Sequence, residues 1–279
     1  MIKKAILYML LSTFAFTLLN VTVKKLVHYD TYELVFFRSL GSLVFTTAFI
    51  IHYKLPLIGN NNKLLLLRSF VGLMSMSLFF MSMKYLPVGT AVTLRYLSPI
   101  FGAILAVFLL KEKIIPIQWL FFIIAFGGVI ILKFSEIKID SLGLSLILGS
   151  AFFGGLVYIL LNKIGTTEHP LTVVNYFMVF STVIGGILSI FNWKTPQKED
   201  LIPLFAMGLF GFYGQLYMTK AFQLATVNII APLKYIEVIF SVVVGVILLN
   251  EIYDLWSLIG ILMIVLGLVL NIIYKKNTQ

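Results

Sequence analysis

The sequence predicts an all-α membrane protein whose ten transmembrane helices form two inverted five-helix repeats, residues 1–137 and 138–279. Three observations lead there. The 279 residues are 60% apolar and only 11% charged, against about 45–50% and about 25% in a typical soluble domain. The apolar residues come in runs of about 20 instead of alternating, which fits spanning helices and not barrel strands. Finally, the chain matches itself when shifted by 139 residues.

The runs and their breaks place helices near 3–23, 32–53, 64–84, 89–110, 115–132, 141–161, 171–191, 201–222, 227–249 and 254–273. The first follows Met1-Ile2-Lys3-Lys4 and runs apolar to Val23, longer than a signal-peptide core and without a small-residue cleavage site, so it is expected to stay as a span. Turn chemistry or charge separates the others: Lys24-Lys25 with Asp30, then Asn60-Asn61-Asn62-Lys63, Leu86-Pro87 and Lys111-Glu112-Lys113. In the second half the breaks are Glu136 to Asp140, Thr166 to Pro170, Lys194 to Asp200, and Asn250 to Asp254. Connections this short make consecutive helices antiparallel neighbours. Ten spans of about 20 residues consume about 200 positions, which leaves no room for a soluble catalytic or nucleotide-binding domain.

Under the 139-residue shift, nine of the 25 positions from Val88 to Glu112 are identical to Val227 to Glu251. Tyr96 falls on Tyr235, Phe101 on Phe240 and Glu112 on Glu251, while Arg95 falls on the basic Lys234. The same shift superposes Gly72 on Gly211 and Gly128 on Gly267. This is an internal repeat of five helices. Because five is odd, the second copy enters the bilayer from the opposite side, the inverted arrangement of many secondary transporters.

These residues resemble a known family. Phe36-Phe37-Arg38-Ser39 in the second helix, Leu94-Arg95-Tyr96-Leu97-Ser98-Pro99 ending at Glu112, and Pro232-Leu233-Lys234-Tyr235-Ile236-Glu237 ending at Glu251 are similar to the EamA group of the drug/metabolite transporter superfamily. The resemblance covers nearly the whole chain. It implies a carrier of amino acids, their derivatives or similar metabolites, without fixing direction. The family segment often reads Glu-Pro; here the first copy has Ser98-Pro99 and the second Glu237-Val238.

Four charged residues fall within the expected spans and away from their ends: Arg38, Arg95, Lys234 and Glu237. Each costs about 2.5–3.5 kcal/mol at a span centre, so each needs a reason. Long basic side chains can snorkel to the boundary, and Glu237 can pair with Lys234 at i, i+3. The functional alternative is a polar cavity between the repeats, reached in turn from each side. Helices four and nine carry the charges, and Pro99 and Pro232 break their hydrogen-bond ladders, as binding-site helices in transporters are broken. Three cations against one acid favour a solute with a carboxylate or phosphate, or a zwitterion. Asn20, Asn175 and Gln215 are candidate contacts or interhelical glue. Tyr96 and Tyr235 adjoin the charges and match under the repeat. Glycines spaced by three, Gly208, Gly211 and Gly214, suit close static packing, and a homodimer surface is the alternative.

Other chemistries lack their residues. The chain has no cysteine, no Walker A sequence and no Gly-x-Ser-x-Gly elbow. Its three histidines, His28 and His169 in expected loops and His52 at the end of the second expected helix, have no metal-ligand spacing. No catalytic residue, metal site or cofactor is therefore assigned. The net charge of +10 is read as orientation and attraction to anionic lipid, not as a nucleic-acid surface. Eleven Lys and Arg at one set of loops and tails against seven at the other place both termini in the cytoplasm of a cytoplasmic (inner) membrane protein. The expected function is secondary transport of a small polar organic metabolite by alternating access, with Glu237 as the one titratable acid at depth for proton coupling. Carriage of a bulkier nucleoside-type compound or vitamin by exchange is the runner-up; a receptor or scaffold that does not transport, or a channel, is the rival class.

Overall fold

The computed structural model describes residues 2–98, 100–102, 104–105, 116–133, 140–224, 233–234 and 236–278. Every regular element among them is helical. In chain order they are α1 (Ile2–Lys25), α2 (Thr31–His52), α3 (Asn62–Ser82), α4 (Val88–Arg95), α5 (Pro116–Lys133), α6 (Ser141–Ile164), α7 (Pro170–Ser189), α8 (Leu201–Leu224), α9 (Ile236–Leu249) and α10 (Leu255–Thr278), with short 3₁₀ turns beside α6, α7 and α8. Helices α1, α2, α3, α6, α7 and α8 are long and apolar enough to cross a membrane. Shorter apolar stretches occupy Trp119–Gly128 in α5, all of α9, and Leu255–Gly267 in α10.

The breaks read from the sequence act as caps. Asp30 accepts the amide of Tyr32 at the start of α2, Asn61 that of Leu64 in α3, and Asp140 that of Gly143 in α6. Each satisfies an amide that the first helical turn leaves without a partner. Between the caps the exposed surface is apolar: Phe14, Val44, Ile187, Ile202, Ile247 and Leu262 are all more than half exposed. Ser12, Thr17, Ser42, Ser150, Ser181 and Ser241 are buried instead. Apolar groups outward and small hydroxyls inward is the arrangement a lipid solvent selects, since hydrocarbon satisfies no polar group.

Loop contacts sort the connections into two ends. At the first, Lys24 Nζ donates to the carbonyls of Met83 and Leu86, both at 2.7 Å, and Glu251 accepts the Val88 amide at 2.8 Å. Tyr29 Oη there donates to Asp200 at 2.7 Å, beside the ion pair His28–Asp200. Burial, followed by the bond to Asp200, raises the Tyr29 pKa and keeps it a donor. At the second end Asn61 N donates to Glu168, Asn60 Nδ2 to the Thr167 carbonyl, and Gln223 Nε2 to the carbonyls of Gly165 and Glu168. Helix α1 therefore runs toward the first end, whereas α6, whose Gly143 packs on Tyr85 and Leu86, starts there and runs the opposite way.

The heaviest packing joins α1 to α8, α3 to α6, α2 to α7 and α8, α3 to α7, and α5 to α10. Small residues permit it. A Cβ added at Gly208 would lie 2.7 Å from the Gly41 Cα, so α2 and α8 touch backbone to backbone. In the α5–α10 pair an added Cβ at Gly128 would lie 2.6 Å from the Gly260 carbonyl oxygen, and one at Gly267 would lie 2.7 Å from the Phe121 carbonyl oxygen.

Candidate functional site

Helix α4 stops at Arg95, and Tyr96 and Leu97 form a turn before helical residues resume at Ser98. The cause is local. Pro99, which itself lies outside the described residues, has no amide to give the Arg95 carbonyl. Ser98 Oγ donates to that carbonyl instead, at 2.6 Å. The turn places Arg95 over the ring of Phe79, 4.3 Å from its centroid, and sends Tyr96 toward α9. Pro232 and Tyr235 also lie outside the described residues, but Leu233 and Lys234 form a 3₁₀ turn just ahead of α9.

Glu237, in the first turn of α9, is 4% exposed. It accepts Asn20 Nδ2 from α1 at 2.9 Å and the Tyr96 hydroxyl from the α4 break. Lys234 is not its ion-pair partner. The ammonium lies among the rings of Phe16, Tyr96 and Tyr158, 5.7 to 5.8 Å from their centroids, and faces the Met218 thioether at 3.4 Å. Among the described residues the one ion pair is His28–Asp200, so the buried cations are held by rings and sulfur and not by carboxylates.

A cavity of about 790 Å³, counting its open mouth, joins these groups. Helix α2 contributes Arg38, 3% exposed, whose Nη1 donates to the Met76 thioether at 2.6 Å. Helix α8 contributes Gln215, whose Nε2 is buried without a partner among the described residues. Gly72, Ser75 and Gly154 keep the floor shallow enough to leave the space open.

The structure brings together seven of the expected site residues: Arg38, Arg95, Lys234, Glu237, Tyr96, Asn20 and Gln215. Arg38 turns inward to the cavity instead of snorkelling. Asn175 does not line the cavity; it accepts Thr47 Oγ1 at 3.5 Å and ties α7 to α2. Two lining residues were missed from the sequence. Arg68, counted there among the boundary cations, is 1% exposed and lines the cavity with its guanidinium stacked on Phe177, 4.3 Å from the centroid. The signal was present in the helical stripe Arg68, Gly72, Ser75, Phe79, which puts small and polar residues on one face. Tyr158 of α6 is a second addition.

Sequence relatives of this chain are named as transporters. A family model described as the EamA-like transporter family matches twice, over residues 3–134 and 141–273. Human solute carrier family 35 member G1 is 28% identical over 92% of this chain and 76% of its own. An S-adenosylmethionine uptake transporter of Rickettsia prowazekii is 26% identical over 88% and 84%, and the pseudopaline exporter CntI of Pseudomonas aeruginosa is 24% identical over 96% and 95%. A solved crystal structure superposes with a TM-score of 0.75 over the full length of both chains at 13% identity, a likeness of fold alone. With a family match spanning nearly all of its length, this multi-pass membrane chain belongs to the EamA-like transporter family.

Proposed function

We propose that the protein is a secondary carrier that moves a small polar organic metabolite, amino-acid-like and zwitterionic or anionic, across the cytoplasmic membrane by alternating access between two inverted five-helix repeats. One observation carries the reading. A cavity lined by one carboxylate and by cations that form no ion pair among the described residues sits where helices of both halves meet, and Asn20, Arg38 and Arg95 from the first half face Gln215, Lys234 and Glu237 from the second. Charges at such depth are costly in a bilayer unless a polar solute or water meets them.

The packing supports the repeat. Exchanging α1–α5 for α6–α10 turns the pair α1–α8 into α6–α3 and the pair α2–α8 into α7–α3, and all four pairs pack extensively. The 139-residue shift also turns the contact of Gly128 with Gly260 into that of Gly267 with Phe121. It likewise turns Arg95 over Phe79 into Lys234 against Met218. Two halves of one shape and opposite direction can exchange conformations, which gives inward- and outward-open states of similar energy.

Coupling is assigned to Glu237. Arginine stays charged at any working pH, so a carrier driven by protons needs this carboxyl, released by Asn20 and Tyr96 when it titrates. In proteoliposomes the expected result is saturable solute counterflow by the unmodified protein. Glu237→Gln should abolish uptake driven by a pH gradient while sparing counterflow; gradient-driven uptake that survives the substitution would refute the coupling role. Absence of saturable counterflow for any member of a metabolite library would refute the carrier. A second reading, a bulkier nucleoside-type solute, is favoured by the rings of Phe16, Phe79, Tyr158 and Phe177 around the cavity and by the relative named for S-adenosylmethionine uptake. Competition of counterflow by adenosyl compounds against amino acids separates the two.

A further inference from the structure

The cavity holds an unbalanced set of charges. Arg38, Arg68, Arg95 and Lys234 line it against the single carboxylate of Glu237. That carboxylate is already engaged, since Asn20 takes Oε1 and Tyr96 takes Oε2. Glu237 is the one acid among the described residues that line the cavity, so it offsets one of the four cations at most.

Two of them form a pair. The guanidinium carbons of Arg38 and Arg68 both lie over the ring of Phe177, 5.7 and 4.3 Å from its centroid. The ring face attracts a cation but accepts no N–H in its plane and carries no net charge. Arg38 Nε, Arg68 Nε and Arg68 Nη1 are buried without an acceptor among the described residues. Among the described residues the one acceptor Arg38 has is the Met76 thioether, a weak one. A guanidinium offers five donors in a rigid fork shaped for two oxygens of one anion. Two forks held against one ring, nearly fully buried and each with donors that lack an acceptor among the described residues, are arranged for more than one anionic group.

We infer that Arg38 and Arg68, clamped on Phe177, form a paired oxyanion subsite, and that the solute carries at least two anionic oxygen groups, as a dicarboxylate or a phosphate does. An amine on the same molecule would face Glu237 at the other wall. The inference rests on the carrier reading for its placement of the solute, and it narrows that reading from a zwitterion or anion to a molecule with net negative charge. Occlusion supplies the reason. When the cavity closes, a neutral zwitterion leaves the cation excess uncompensated in a low-dielectric interior, whereas a dianion removes most of it.

Thermal unfolding of the purified full-length protein at constant ionic strength tests this, with acetate, malonate, citrate and inorganic phosphate as probes. Constant ionic strength removes general screening as a cause. In the unmodified protein the half-effect concentration should fall about tenfold or more with each added carboxylate, the size expected for one further charge-assisted hydrogen-bonded group. Arg38→Gln and Arg68→Gln should each flatten the dependence on valence, Arg68→Lys should keep part of it, and Lys198→Gln, an exposed residue far along the chain, should leave it intact. Should either Gln variant fail to fold, the other and Arg68→Lys provide the comparison. Phosphate acting more strongly than malonate assigns a phosphate end to the solute, and the reverse order assigns carboxylates. Equal half-effect concentrations for all probes, no stabilisation by any of them, or a valence order retained in both Gln variants would overturn the inference. Valence-ordered stabilisation without counterflow in proteoliposomes would sink the carrier and leave the subsite standing; counterflow without valence order would do the opposite.

Discussion

A guanidinium buried away from any carboxylate costs free energy that its packing recovers only in part. Arg68 is in that position, 1% exposed, stacked on Phe177, with Nε and Nη1 lacking acceptors among the described residues. If the proposed oxyanion subsite holds, such a residue serves solute binding at the expense of the fold. Arg68→Met should therefore stabilise the purified protein by about 1–4 kcal/mol, the range seen when buried ionic groups give way to apolar ones. The same variant should lose solute transport. Differential scanning calorimetry beside a counterflow assay checks both, and a fall in unfolding temperature would show Arg68 to be structural. The residue also marks how far a sequence reading reaches. Arg38, Arg95, Lys234 and Glu237 were legible because each is a charge deep inside an apolar run. Arg68 sits a few residues from Lys63, where a long side chain could equally reach water, and only the fold shows which way it turns. The Tyr96–Glu237 bond was illegible for another reason: it joins residues 141 apart in the chain, and no local pattern encodes it.

Helix contacts in this molecule are decided by single glycines, and two adjacent positions on α5 show how sharply. A Cβ at Gly127 would meet Met263 Cε at 3.5 Å, an ordinary contact with a flexible group. A Cβ at Gly128 would meet the Gly260 carbonyl oxygen at 2.6 Å and the Ile264 amide nitrogen at 2.9 Å, both backbone atoms that cannot move aside. Gly127→Ala should then be neutral or gain about 0.5–1 kcal/mol from helix propensity, whereas Gly128→Ala should lose about 1–3 kcal/mol through overpacking. Gly267→Ala should lose as much as Gly128→Ala, because it meets the Phe121 carbonyl oxygen at 2.7 Å in the same way. Thermal unfolding of the three variants measures all of this. At the start of α7, His169 accepts the Leu171 amide through Nδ1. Partial burial, followed by the nearby Lys220 charge, lowers its pKa below the usual value. Folding thus favours the neutral ring, and the stability it adds is present above about pH 6.5 and is lost as pH falls below that value. His169→Asn keeps a capping acceptor without a titration, so it should remove this acid sensitivity from hydrogen exchange at the start of α7. Most helix boundaries were readable because caps and turn residues are local features: the sequence places α2 near 32–53 and the structure gives Thr31–His52. The α4 break was readable from Pro99 only in outline, since the turn falls at Tyr96 and Leu97 ahead of the proline.

At the scale of the whole molecule, the two ends differ in how they are fastened. The first end carries a relay in which Gly89 N donates to Tyr253 Oη at 3.0 Å and Tyr253 Oη donates to Glu251 at 2.6 Å, while Glu251 also accepts the Val88 amide. Burial, and then the Glu251 charge, push the Tyr253 phenol up, which keeps it a donor in this relay. With Lys24 bound to the Met83 and Leu86 carbonyls, α1, α4 and the α9–α10 connection are tied together there. The second end is tied through Glu168, Asn60, Asn61 and Gln223. Which end faces the cytoplasm is set by cations at the boundaries, and moving Arg68 into the cavity reduces the count at the second end from 11 to ten, against seven at the first. Three residues still favour the second end as cytoplasmic, by the rule that basic loops stay inside. The absence of native cysteine makes a direct measurement clean, because one introduced thiol is the sole reactive site. Asn60→Cys marks the second end and Lys198→Cys the first, both at exposed positions. A membrane-impermeant maleimide applied to intact cells should label Lys198→Cys at once and Asn60→Cys only after permeabilisation. The reverse pattern would invert the assignment. Equal labelling of both in intact cells would mean that the chain inserts in two orientations, which a margin of three cations would allow.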